Sequence, residues 1–245
     1  MDQFCKNIES NLHRWDLAET PDYPLCGQRG TLQHIHTSCN VALAQGRYTW
    51  RHNKVLRELA DILEKERKNT RSNQPRPTHT QIRFVRERER RTSRSEKSTG
   101  IISQAGDWRL AVDLNQRLKF PDIVPTNLRP DMVLWSPGSK KIIIIELTVP
   151  WEERCSEANE RKRIKYEALL LECREQGWQT WNYPVKVGCR GFPAQSVWRM
   201  LSALGLAGRT RRAAVPRMAK AAERASCWVW MRKDPSSWTP TTDAQ

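Results

Sequence analysis

Apolar positions along the chain fall into separate blocks whose spacing differs from one to the next. Val55, Leu56, Leu59, Ile62 and Leu63 follow the i, i+3, i+4, i+7 spacing of one helix face, which predicts a helix ending near Arg67. Trp108, Leu110, Val112 and Leu114 alternate with polar residues, as in a half-buried strand. Met132-Val133-Leu134-Trp135 and Ile142 to Ile145 are continuous apolar runs separated by Ser136-Pro137-Gly138-Ser139, residues that favour a turn. Together they predict a β-hairpin over 132–149. A charged helix over Glu153 to Glu175 is expected next, then a strand over Pro184 to Gly188 and helices over Gln195 to Leu206 and Arg217 to Arg232. A three-stranded meander, a helix and a returning strand make an α/β core, a mixed sheet flanked by helices.

Between Lys68 and Gly100 apolar residues nearly vanish, and Arg83 to Lys97 holds seven basic residues and three acidic. Such a composition suits a solvated linker or a phosphate-contacting arm. The expected organisation is an N-terminal segment 1–67, a basic flexible linker 68–100, a core 101–191 and a basic helical extension 192–245.

Charge narrows the partners. The chain of 245 residues carries 42 Lys+Arg against 27 Asp+Glu, a net +15. Arg199 to Lys233 alone contains nine basic residues and one acidic. A polyanion is the expected partner: DNA, with RNA beside it, ahead of an anionic membrane. Apolar runs are far shorter than the roughly 20 residues a bilayer requires, so no membrane span is expected. The start, Met1 to Lys6, has no apolar signal core, so the chain is expected in the nucleus or cytoplasm and not secreted. Seven cysteines without a regular framework then read as reduced core residues or metal ligands.

Within the hairpin, Asp131 precedes the first strand and Glu146 ends the second. Two carboxylates brought together in this way can hold a divalent metal, and a nearby lysine can help activate water against a phosphodiester. Glu146 follows four apolar residues in a strand buried on both faces, where an unpaired carboxylate is costly. On the following helix, Lys162, Lys165, Tyr166 and Leu169 share a face, directing both lysines toward the sheet. A structural alternative stays open: Asp131 caps a turn, Glu146 pairs with an arginine, and the lysines bury only their stems.

The order Arg129-Pro130-Asp131, then Glu146-Leu147-Thr148-Val149, then Lys162-x-x-Lys165-Tyr166 resembles the restriction-like endonuclease of some non-LTR retrotransposon proteins, a branch of the PD-(D/E)XK nuclease fold. Thr148 stands where most such nucleases carry their lysine, and the retrotransposon branch is similar in drawing its lysines from the next helix. The likeness runs from Asp107 to Gly191 and onward to Trp230. It includes Leu118-Lys119-Phe120-Pro121 and Val149-Pro150-Trp151-Glu152-Glu153. It implies a PD-(D/E)XK core with helical N- and C-terminal appendages. Asp131 and Glu146 would hold Mg²⁺ or Mn²⁺, and Lys162 and Lys165 would orient water and stabilise the developing phosphorane-like charge. The implied activity is nicking of target DNA for target-primed reverse transcription. With no room for a polymerase, the chain would be a fragment, a truncated copy or a retained remnant. The competing expectations are a catalytically inactive, retroelement-derived nucleic-acid-binding protein and an interaction module without nucleic acid.

Cys26, His34 and Cys39 are spaced like the last three ligands of a Cys-x-x-Cys…His…Cys zinc knuckle, with Tyr23 in place of the first cysteine. The same family carries a knuckle upstream of its nuclease, so Zn²⁺ is expected at these residues, with His36 or Cys5 as conceivable replacements for the missing ligand. A small apolar unit without metal is the alternative. Arg47, Arg51 and His52 would face phosphate, as would Arg129, Arg209, Arg211, Arg212 and Arg224. Trp228 and Trp230, among eleven tryptophans, read as packing residues ahead of base-stacking ones.

Overall fold

A computed structural model of the chain describes residues 8–73, 100–114, 116–151, 165–234 and 238. Four strands form its sheet: β1 (Arg109–Val112), β2 (Met132–Ser136), β3 (Lys141–Thr148) and β4 (Gln179–Lys186), in that spatial order. β1, β2 and β3 are antiparallel neighbours, and β4 runs parallel to β3. The hairpin turn falls at Pro137–Lys140, as its composition predicts. β4 begins earlier than the apolar Pro184–Gly188 stretch suggests. Its first half, Gln179-Thr180-Trp181-Asn182-Tyr183, is half polar because it lies at the sheet edge, where Pro184 is also tolerated without its N–H.

Helices cover both faces. The N-terminal segment contributes α1 (Glu9–Arg14), a π-helical turn (His34–Ser38), α2 (Asn40–Ala44) and the long α3 (Arg47–Asn73). After a 3₁₀ turn at Ile101–Gln104 and strands β1 to β3 come α4 (Glu167–Glu175), α5 (Gln195–Leu204) and α6 (Gly208–Met231). The first half of the expected Glu153–Glu175 helix lies outside the described residues, as does most of the 68–100 linker. α6 starts well before Arg217 and passes through Pro216. That proline is exposed, so the carbonyl one turn back that it cannot bond is left to water.

Strand alternation divides the core. Leu134, Ile143, Ile145 and Leu147 pack on one face with Leu56, Leu59 and Leu63 of α3 and with the inner sides of α5 and α6. Val133, Ile142 and Ile144 pack on the other with Tyr166, Leu169 and Cys173. A third cluster gathers Ile8, Tyr23, Leu25, Ile35, Cys39 and Ala42 ahead of α3. Gly100 lies against the positive-φ Gly205 that ends α5, and a Cβ on Gly100 would come 2.0 Å from the Gly205 Cα. No helix among the described residues is long and apolar enough to cross a membrane.

Candidate active site and metal cluster

Pairing register brings the two acids together. Met132 faces Ile145, so the next antiparallel step sets Asp131 beside Glu146. The Asp131 N–H donates to Glu146 Oε2 at 3.1 Å, and the Leu147 N–H donates to Asp131 Oδ2 at 2.7 Å. Glu146 is buried, only 4% exposed, and a carboxylate there requires such donors.

Tyr166, fully buried at the head of α4, supplies another. Its hydroxyl lies 3.2 Å from Glu146 Oε2 and 3.1 Å from the Arg129 carbonyl. Burial, with the Glu146 charge adding to it, pushes the phenol far above its ordinary range, so it remains a neutral donor. Lys165 Nζ donates to the same hydroxyl at 2.8 Å and stands 3.9 Å from Glu146 Oε1. Its side chain is 44% exposed, so the ammonium approaches Glu146 from the solvent side. Lys162 lies outside the described residues.

A third element enters from α3. His52 Nε2 is 3.2 Å from Asp131 Oδ2 and 3.3 Å from the Leu147 carbonyl oxygen. The spacing of residues gives no sign of this, since 79 positions separate His52 from Asp131. Asp113, just past β1, donates its backbone N–H to the Asp131 carbonyl at 2.8 Å. Asp113, His52, Arg129, Asp131 and Lys165 line one open cleft of about 630 Å³. Asp131 lines this cleft, and Glu146 and the Leu147 carbonyl lie next to it in the hydrogen-bonded group just described; carboxylate and carbonyl oxygens are of the hard type that Mg²⁺ takes alongside water.

The N-terminal cluster also assembles. One ligand atom each from Cys26, His34 and Cys39 lies within 4.8 Å of the others, and Cys26 Sγ is 3.1 Å from His34 Nε2. Two thiols and an imidazole at these separations can hold a metal such as zinc, whose ligand bonds are about 2.0–2.3 Å long. Burial pulls the His34 imidazole below its ordinary value, leaving it neutral as a ligand must be. Burial pushes the Cys26 thiol up, so binding metal there would release a proton. Tyr23 is fully buried with its ring edge-on to His34, 6.0 Å between centroids. Its hydroxyl has no hydrogen-bond partner among the described residues. His36 is not in the cluster. It is buried, and that burial, with the Arg51 and Arg190 charges adding, pushes it down to about 3. Cys5 lies outside the described residues.

The arginines separate into two sets. Arg47 and Arg51 do not face solvent as expected: both are buried where the end of α6 covers the start of α3. Arg47 donates to Gln45 and the Arg232 carbonyl, and Arg51 to Ser226 and the Val149 carbonyl. Arg129, Arg209, Arg212 and Arg224 are exposed, while Arg211 is half-buried against Trp198. Trp228 stacks on Trp50, and Trp230 packs on the N-terminal cluster, matching their reading as packing residues. No known protein family matches this sequence, and no curated protein is significantly similar to it.

Proposed function

We propose that the chain is a metal-dependent DNA endonuclease with a PD-(D/E)XK-type core, similar to the nicking endonuclease of non-LTR retrotransposons. The observation that carries this reading is the pairing of Asp131 with Glu146 at the sheet end, with the Lys165 ammonium 3.9 Å from Glu146 and Asp131 and Lys165 lining one open cleft. Asp131, Glu146 and the Leu147 carbonyl would hold Mg²⁺ or Mn²⁺. Such an ion, when bound, supplies Lewis-acid polarisation of the phosphodiester. Lys165 offers a cation to the attacking water and to the charge that grows on the phosphoryl oxygens. Tyr166 holds Glu146 in place, and Arg129 at the cleft edge offers a contact for backbone phosphate. The arginines exposed on α6 extend a sequence-independent contact with DNA. Zinc at Cys26, His34 and Cys39 would serve structure rather than chemistry.

A second reading, a nucleic-acid-binding remnant without cleavage, is favoured by Tyr23, which leaves the N-terminal cluster one ligand short of a structural zinc site. Nicking of supercoiled plasmid separates the two. With Mg²⁺ or Mn²⁺ the wild-type chain should nick, and Asp131→Ala should abolish nicking while DNA retention at low salt persists. Retention without nicking under any divalent ion would assign the remnant reading instead.

A further inference from the structure

His52 stands apart from the acids and the lysine because it arrives from α3. Its Nε2 faces two oxygens, Asp131 Oδ2 at 3.2 Å and the Leu147 carbonyl at 3.3 Å, and so presents an N–H to both. Asp131 Oδ2 also accepts from the Leu147 N–H at 2.7 Å. The imidazole therefore closes a small ring of contacts that ties the first acid to the backbone immediately after the second. Next to it, Asn53 Nδ2 donates to the Leu114 carbonyl at 2.6 Å and anchors the neighbouring position of the helix. The buried Val55 and Leu56 fix this turn of α3 in the core. A histidine bridging an acid and a carbonyl, on a helical turn fixed in the core, matches the way outer partners orient ligands around a cation.

Building on the nuclease reading above, we propose that His52 is a positioning residue of the hydrolytic centre. It fixes Asp131 and the Leu147 carbonyl in the relative geometry that receives the divalent ion. By this assignment α3 is part of the cleavage site.

Mn²⁺ titration of the full chain, read as loss of the free-ion paramagnetic resonance signal, tests it beside steady-state nicking. His52→Ala should weaken Mn²⁺ binding about 10- to 100-fold and lower kcat, with the DNA KM unchanged. His52→Gln, whose amide N–H reaches the Nε2 position, should recover most of both. His52→Asn, whose shorter amide does not reach Asp131, should not. Should His52→Ala fail to fold, the contrast between Gln and Asn decides alone. Equal behaviour of Gln and Asn, or an alanine variant that binds Mn²⁺ and nicks as wild type does, would overturn the assignment and leave the nuclease reading intact. A wild-type chain that binds no more Mn²⁺ than Asp131→Ala and does not nick would overturn both.

Discussion

Lys165 meets Glu146 through Tyr166: the ammonium is 2.8 Å from the phenol oxygen, and that oxygen is 3.2 Å from the carboxylate. The hydroxyl thus accepts from a cation on its exposed side and donates to an acid on its buried side. Removing it in Tyr166→Phe leaves the ring in the apolar cluster that holds Leu169 and Ile144 but strips a buried carboxylate of a donor. Stability should fall by about 1–3 kcal/mol in urea denaturation. Metal affinity or nicking rate should fall about 10- to 100-fold.

Lys165 is exposed enough to be changed without disturbing the core. Lys165→Ala should reduce kcat for nicking by about 10²- to 10³-fold, the size expected for a single donor to a developing anion. DNA retention on a filter should change little. A variant as active as wild type would assign the role to another cation.

Tyr23 occupies the place of the fourth ligand in the N-terminal cluster. In Tyr23→Cys a large buried ring is lost, which without metal should cost about 3 kcal/mol. With zinc the four-ligand set is complete, and the loss should be more than recovered. Melting temperatures with and without Zn²⁺, together with a colorimetric zinc count, check this. A melting point that does not respond to Zn²⁺ in either protein would mark the cluster as purely apolar packing.

The exposed Arg209, Arg212 and Arg224 of α6 should act through phosphate alone. Replacing them with alanine should flatten the slope of log K against log salt by roughly 0.9 for each phosphate that is no longer neutralised. The effect should be the same for unrelated duplexes, as measured by fluorescence anisotropy across a salt series. Arg47→Ala should behave differently, lowering stability with little change in that slope, because its guanidinium is buried between the start of α3 and the end of α6.

The hairpin and its two acids were legible because strand pairing is local. Two apolar runs joined by a short turn fix their own register, and the register alone sets Asp131 beside Glu146. Tyr166 and Leu169 were legible as inward positions because they obey helical spacing. His52 was not, because its place depends on how a helix crosses a sheet 79 residues further along, which no local pattern encodes. The burial of Arg47 and Arg51 was hidden for a related reason. Charged residues at a helix start read as solvated until the end of another helix closes over them and supplies oxygens for their guanidinium groups. The early start of β4 was masked by polar residues that an edge strand accepts.

The roof of the sheet also bears on any attempt to transplant the cutting unit. Val55, Leu56, Leu59, Ile62 and Leu63 are 0–5% exposed. At about 1.5–3 kcal/mol for each buried side chain, together they are worth roughly 10 kcal/mol. That is as large as the net stability of a typical domain. A cassette cut at residues 101–191 would bare the sheet face that these residues cover together with α5 and α6, and would lose His52. Grafted onto another DNA-binding protein, the cleavage unit would have to travel with residues 47–73 and with α5 and α6 attached.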